Sequence, residues 1–178
     1  MATPPKIKKT VPESPSPSSE VVELTPDWQK DFLCRSRLAA ARIPERFAAK
    51  TLDGYKGRSA KIRSVLKTAQ AFVEDFEFGK EPPKGLLMQG VVGCGKTHVA
   101  LGILRGVIEK GYTGLYYNMV DLLSDIRATF SNNSSISESE IIEEVLAPDL
   151  LVLDDLGAKN TSSFVNDRLY LIVNRRYE

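Results

Sequence analysis

Residues 90–97 read Gly90-Val91-Val92-Gly93-Cys94-Gly95-Lys96-Thr97, which fits the G-x-x-x-x-G-K-[ST] pattern of a phosphate-binding P-loop. The glycines let the backbone curl, so that successive N–H groups point at phosphate oxygens. We expect Lys96 to contact the β- and γ-phosphates of a nucleotide and the Thr97 hydroxyl to hold Mg²⁺. The residues predicted to bind the nucleotide are Gly90, Val91, Val92, Gly93, Cys94, Gly95, Lys96, Thr97 and His98.

The segments that flank this loop have the pattern that it requires, a strand before it and a helix after it. An apolar run at 85–89 predicts the strand, and apolar residues at helical spacing predict a helix that ends near Lys110, before Gly111. A second strand is predicted at 113–119 and a third at 150–153. Because the third is apolar at every position, we expect it to be buried on both faces of a parallel sheet.

Further helices are predicted at 25–41, 60–78, 121–130 and 137–147. Asp121 is expected to cap the third of these, and Ser137 with Glu140 forms a capping box at the start of the fourth. Trp28 and Phe32 lie four residues apart and are expected to pack against the core. Strands that alternate with helices predict an α/β fold, with helices on both faces of the sheet.

The third predicted strand ends in Asp154-Asp155-Leu156-Gly157. Four apolar residues followed by an acid are typical of a Walker B element, in which a buried strand brings a carboxylate to the Mg²⁺ beside the P-loop. We therefore expect Asp154 to bind Mg²⁺ through water and Asp155 to orient or deprotonate the attacking water. The alternatives are that the two acids exchange these roles, or that the pair forms a turn or a helix cap.

The composition is that of one domain with a sizeable core, since the chain has 178 residues of which 42% are hydrophobic. No apolar run approaches the length of a membrane span, and the beginning of the chain lacks the apolar core of a signal peptide. The two cysteines, Cys34 and Cys94, form no disulfide framework. These observations predict a cytoplasmic protein without a membrane association.

Charge is uneven along the chain, although the net charge is only +1. Residues 35–67 carry ten basic and two acidic side chains, a local charge of +8. This stretch is suited to nucleic acid, an acidic partner or nucleotide phosphate, and the alternative is a solvated helical face. We divide the chain into a disordered Pro/Ser-rich tail at 1–24, a basic helical partner-binding segment at 25–58 and an ATPase core at 59–178.

Several stretches together resemble the DnaC/DnaI/IstB group of AAA+ ATPases, over roughly 40–178. They are residues 85–98, 116–117, 121–123 and 150–157, with similar stretches at 42–47 and 174–177. The resemblance implies a P-loop NTPase fold of the AAA+/ASCE type, ATP as the nucleotide and self-association of the full-length protein. It also implies a DnaC/DnaI-like helicase loader in DNA replication, which couples ATP state to a replicative DNA helicase and single-stranded DNA. By that analogy, 25–58 faces the helicase.

Two other functions remain open. The IstB members of the group assist a transposase, so the second reading is a transposition helper ATPase that acts on double-stranded DNA.

The family pattern continues with a sensor strand, an arginine finger and a helical lid, none of which can be placed here. We therefore expect a core that is incomplete at the C-terminus, a gap in the sheet between the P-loop strand and the Asp154 strand, and weak or absent ATPase activity. The third reading is a nucleotide-dependent interaction module that does not hydrolyse ATP.

Four side chains near the P-loop have less determined roles. Tyr55 and Phe47 lie where the family often places the approach to adenine, and the alternative for both is ordinary packing. Cys94 is expected to face the phosphates mainly through its backbone, with a thiol that nucleotide could protect. His98 matches the family pattern, and with no Cys/His cluster in the sequence a metal role for it is disfavoured.

Overall fold

The computed structural model describes residues 26–57, 59–77, 85–131, 135–157 and 162–178. The predicted tail at 1–24 lies outside these ranges. The elements in chain order are α1 (Asp27–Ala40), a 3₁₀ helix (Glu45–Phe47), α2 (Ala60–Glu74), α3 (Lys96–Glu109), β1 (Gly114–Asn118), α4 (Met119–Ala128), α5 (Glu138–Leu146), β2 (Leu150–Asp154) and α6 (Ser163–Tyr177). Within the described ranges, no helix is long and apolar enough to cross a membrane.

Strands β1 and β2 are parallel and in register, with Gly114 opposite Leu150 and Asn118 opposite Asp154. Because side chains alternate between the two faces of a strand, each strand contributes to two separate cores. One face packs on α1 and α3 and contains Tyr116, Leu150 and Val152. The other packs on α4, α5 and α6 and contains Leu115, Tyr117, Leu151 and Leu153. This layering confirms the predicted α/β fold with helices on both faces of a parallel sheet.

The strand predicted at 85–89 is wrong. These residues form no strand, and Leu86 and Leu87 are exposed. A strand needs a neighbour that pairs with its backbone, and the sheet of the described residues consists of β1 and β2 alone. For the same reason the predicted full burial of the third strand is wrong, since every residue of β2 is only half-buried.

Most helices begin and end close to their predicted positions, with two corrections. Helix α2 ends at Glu74 and not at 78. At this helix end the Lys110 ammonium donates to the carbonyls of Val73, Glu74 and Phe76, at 2.7–3.0 Å. Helix α4 is capped by Asn118 and not by Asp121, which lies in its first turn. The side-chain oxygen of Asn118 accepts the Val120 N–H at 2.9 Å.

The capping box at the start of α5 is confirmed. The Ser137 hydroxyl accepts the Glu140 N–H at 3.2 Å, and the Glu140 carboxylate accepts the Ser137 N–H at 2.6 Å. The bond from the Ser137 N–H, and a further bond from the Ser137 hydroxyl to the carboxylate at 2.8 Å, lower the pKa of Glu140. The two bonds of the capping box also satisfy backbone donors at the start of the helix, so the sequence motif specifies where α5 begins.

The chain after α1 closes the outer edge of β1. The carbonyl of Ala41, which is fully buried, accepts the Tyr116 N–H at 2.9 Å. Arg42 follows in a left-handed conformation, with φ of +55°, and its guanidinium contacts the Tyr117 hydroxyl and lies 2.5 Å from the Glu144 carboxylate. The chain therefore crosses from one face of the sheet to the other, and this crossing covers backbone groups that an open edge would expose.

The predicted packing of Trp28 and Phe32 is wrong. Their exposed fractions are 71% and 66%, and no residue of α1 is fully buried. Helix α1 contacts the core through Cys34 and Leu38 near its C-terminal end. Its N-terminal turns therefore present two large aromatic side chains to solvent.

Candidate functional site

The P-loop turns on two glycines with left-handed backbone. Gly93 and Gly95 have φ of +79° and +91°, a region that L-residues with a side chain rarely adopt. Gly95 is the N-cap of α3, and no side chain caps this helix end. The first N–H groups of α3 therefore remain available as donors, next to a loop that curls in front of them. Val91 and Val92, also predicted to bind nucleotide, are exposed beside this turn.

Lys96 lies folded into this loop. Its ammonium donates to the carbonyls of Gly90 and Val91, at 2.9 and 3.1 Å. The positive charge of Lys96 is thus held beside the loop by two neutral carbonyl groups of the loop itself. An anion that entered the loop would offer the ammonium hydrogen bonds in which both donor and acceptor are charged, and these are stronger than the bonds to neutral carbonyls.

Thr97 and Asp154 bring the two sequence motifs together. The Thr97 hydroxyl, in the first turn of α3, donates to Asp154 Oδ2 at 2.7 Å. The two residues are 57 positions apart in the chain and meet because β2 ends beside the beginning of α3. Among the described residues, no group of three or more His, Cys, Asp or Glu side chains is arranged to hold a metal ion. Thr97 and Asp154 instead provide one hydroxyl and one carboxylate.

Asp154 has two further partners. The Tyr116 hydroxyl donates to Oδ2 at 3.2 Å, and the Asp155 N–H donates to Oδ1 at 3.0 Å. Burial and the negative charge of Asp154 raise the pKa of Tyr116 to about 12. The phenol is therefore protonated, and remains a donor, throughout the physiological pH range.

Asp155 is the first residue after β2. It has φ of +56°, a left-handed conformation that is uncommon outside glycine, and its side chain is exposed. The Asn118 amide donates to Asp155 Oδ2 at 3.0 Å. Since Asn118 Oδ1 caps α4, this amide group is oriented by the helix that it caps. The last residue of β1 thus holds the residue that follows β2.

Tyr55 and His98 attach the preceding segment to the P-loop. The Tyr55 hydroxyl donates to the Cys94 carbonyl at 2.9 Å, and its ring contacts the His98 ring edge to face, with centroids 4.9 Å apart. His98 Nε2 lies 2.9 Å from the Thr51 carbonyl oxygen, to which the ring donates. Phe47 packs in the core beside α3. Tyr55 therefore lies at the loop, whereas Phe47 takes the packing role that was its alternative.

Tyr116 and Asn118 belong to this site, although the sequence patterns did not indicate them. Both lie in β1, whose carboxyl end is beside that of β2. Side chains at the carboxyl ends of neighbouring parallel strands meet at one edge of the sheet, and this rule could have indicated that residues at the end of β1 lie near Asp154. The strand register, which places Tyr116 within reach of Asp154, cannot be read from periodicity.

This geometry has counterparts among solved structures. The crystal structure of the DnaC helicase loader matches with a TM-score of 0.66 and 29% identity, over 75% of this chain and 73% of that chain. The crystal structure of DnaI matches in fold, with a TM-score of 0.63 and 23% identity over 76% of this chain and 70% of that chain. The class defined by the fold is therefore that of the P-loop ATPases.

The particular family follows from the sequence comparison. Residues 27–178 match the family model described as IstB-like ATP binding protein, and this chain belongs to that family. Its sequence is 30% identical over 139 residues to the replicative helicase loader DnaC of Buchnera aphidicola subsp. Acyrthosiphon pisum (strain APS). That alignment covers 78% of this chain and 55% of the relative, so the chain spans about half the length of the protein that it matches.

Proposed function

We propose that this protein binds ATP with Mg²⁺ at the P-loop and acts as a replicative helicase loader, coupling its nucleotide state to a helicase and single-stranded DNA. The observation that carries the nucleotide site is the 2.7 Å hydrogen bond between Thr97 and Asp154. It joins the residue after the P-loop lysine to the acid at the end of a parallel strand, which is the arrangement used to hold a metal–nucleotide complex.

The oxygens at this position fit Mg²⁺. The ion prefers hard oxygen ligands and commonly takes only one or two from the protein, with phosphates and water completing its shell. Thr97 and Asp154 would hold it, and the bound ion would neutralise charge on the β- and γ-phosphates. Lys96 would exchange the carbonyls of Gly90 and Val91 for phosphate oxygens. The remaining predicted residues, from Gly90 to His98, would surround the phosphates mainly through the backbone.

Asp155 is the proposed residue for orienting or deprotonating the attacking water. It is the first residue beyond β2, and its carboxylate accepts a hydrogen bond from the Asn118 amide, whereas Asp154 accepts from Thr97 and Tyr116. One acid would then serve the metal ion and the other the water.

The segment 25–58 is the proposed contact for the helicase, within a protein that acts in the cytoplasm. In its described part, α1 exposes Trp28 and Phe32, and exposed aromatic side chains are frequent anchors at protein interfaces. The DnaC relative from Buchnera aphidicola is a replicative helicase loader, which supports this partner. We also propose that the protein binds single-stranded DNA and that the full-length protein self-associates.

The alternative is a transposition helper that acts with a transposase on double-stranded DNA. The observation that favours it is the family model, whose description is IstB-like. Both functions use the same nucleotide site, so only the partner and the form of DNA distinguish them.

The test begins with a titration of the protein with a fluorescent ATP analogue and Mg²⁺. The wild type is expected to bind, and Lys96→Ala to lose roughly 10- to 100-fold in affinity, since bonds to charged groups contribute about 1.5–3 kcal/mol. Lys30→Ala, which removes an exposed lysine of α1 outside the basic stretch, is the matched control and should bind like the wild type. Absence of binding by the wild type would refute the nucleotide site.

The partner is tested with the protein as an ATP complex, mixed separately with a replicative helicase and with a transposase on a sizing column. Co-elution with the helicase, reduced by Trp28→Ala, supports the loader. Co-elution with the transposase alone, together with a preference for double-stranded over single-stranded DNA, would replace it with the transposition helper.

A further inference from the structure

Tyr116 and Asp154 lie on the same face of the sheet. The register pairs Tyr116 with Val152, so Asp154 is two residues further along the neighbouring strand. Side chains two residues apart in a strand point to the same face, and a tyrosine is long enough to reach that diagonal neighbour. The hydroxyl of Tyr116 ends 3.2 Å from Asp154 Oδ2.

The two donors to Asp154 Oδ2 differ in how they are held. Thr97 belongs to the first turn of α3, directly behind the exposed P-loop. Tyr116 belongs to a paired strand, its side chain is buried, and its N–H is bound to the Ala41 carbonyl at 2.9 Å. Of the two, Tyr116 is therefore the donor with the more rigid support, and its bond restricts rotation of the Asp154 carboxylate.

We propose that Tyr116 is a positioning residue for the metal ion, which holds the Asp154 carboxylate in the orientation that Mg²⁺ needs. This inference rests on the proposed nucleotide site. In it, Thr97 and Asp154 supply the oxygens for the ion, and the Tyr116 hydroxyl donates to the Asp154 carboxylate without supplying an oxygen to the ion itself. The expected signature is a defect in Mg²⁺-dependent nucleotide binding, with no defect in nucleotide binding without metal.

The neighbouring residue provides a matched control. Tyr117 is also a buried tyrosine of β1, with an exposed fraction of 5% against 6% for Tyr116. Its side chain points to the opposite face, where its hydroxyl donates to Asp125 at 2.6 Å. Tyr116→Phe and Tyr117→Phe therefore each remove one hydrogen-bonded hydroxyl from the same strand, on opposite sides of the sheet.

The experiment measures binding of the fluorescent ATP analogue by the wild type and both variants, in EDTA and over a range of Mg²⁺ concentrations. Thermal melts of the apo proteins establish that each variant is folded. For Tyr116→Phe we expect the Mg²⁺ concentration at half-maximal binding to rise about tenfold, since losing the hydrogen-bond partner of a metal ligand typically costs about 10- to 100-fold in affinity. Affinity in EDTA should be unchanged, and Tyr117→Phe should follow the wild type in both conditions.

Three results would overturn the inference while leaving the nucleotide site in place. They are an unchanged Mg²⁺ dependence in Tyr116→Phe, an equal shift in both variants, or a loss of affinity in EDTA as large as that in Mg²⁺. Failure of the wild type to bind the analogue at all would instead overturn the proposed nucleotide site and the role of Tyr116 together.

Discussion

The carboxyl ends of β1 and β2 and the P-loop segment at 85–95 meet at one site, but their surroundings differ. Asp154 accepts three hydrogen bonds, from Thr97, Tyr116 and the backbone of Asp155. In the P-loop segment, by contrast, Leu87 and Val92 are 84% and 99% exposed. The acids are thus held by side chains from other elements, whereas the loop is shaped mainly by its own backbone.

The difference shows what each half of the site requires from the rest of the chain. Two glycines with positive φ and the first turn of α3 are sufficient to curl the loop, and these are local features. The positions of the acids depend on a parallel pairing between segments that are 36 residues apart, from Gly114 to Leu150. Changes in packing should therefore affect the two halves very unequally.

The largest expected effect is a difference in stability between variants of two leucines, one buried and one exposed. Leu104 in α3 is fully buried against the sheet, whereas Leu87 lies before the P-loop. Leu104→Ala should lower the free energy of unfolding by about 2–5 kcal/mol, because it removes buried contacts and leaves a cavity. Leu87→Ala should change it by less than about 0.5 kcal/mol. Urea denaturation measures both, and equal losses would contradict the contrast between the two regions.

A smaller effect is expected for Gly95→Ala in the loop. A side chain at φ of +91° costs about 1–2 kcal/mol, and the new Cβ would also clash with the Tyr55 hydroxyl oxygen. Adding Tyr55→Ala should relieve the clash but not the backbone strain, so a double-mutant cycle in urea should show partial recovery relative to the sum of the single changes. Purely additive losses would indicate that Tyr55 does not confine the loop.

The smallest effect concerns alkaline pH and the sheet. Burial and the hydrogen bond to Asp125 raise the pKa of Tyr117 from 10 to about 12. The raised pKa contributes stability that is fully present below pH 10 and is lost as the pH rises towards 12, since the unfolded state releases the proton first. At pH 11, which is one unit above the ordinary pKa, the loss in the free energy of unfolding is at most about 1.4 kcal/mol. Denaturation of wild type and Tyr117→Phe at pH 9 and pH 11 should therefore show the steeper decline in the wild type.

Local patterns were sufficient to predict most elements. Apolar spacing and helix-start signals predicted α1 to α5, the Ser137–Glu140 box predicted the start of α5, and the apolar runs predicted β1 and β2. Helix α6 was not predicted. Each of these signals lies within about one element, where the sequence determines the backbone through nearby contacts.

The errors have a different origin. The apolar run at 85–89 looks like a strand, but strand formation depends on a pairing partner elsewhere in the fold. Trp28 and Phe32 have helical spacing, which specifies a shared face and not what covers that face. Tyr116 was missed because its bond to Asp154 follows from the register of β1 on β2, a tertiary property.

The bond between the Ala41 carbonyl and the Tyr116 amide ties helix α1 to the strand that supports the acids. This amide can exchange its proton with solvent only when the chain around Ala41 moves away, so its exchange rate reports that opening directly. The hydroxyl of the same residue donates to Asp154, so Tyr116 contacts the chain after α1 through its backbone and the acid at the end of β2 through its side chain.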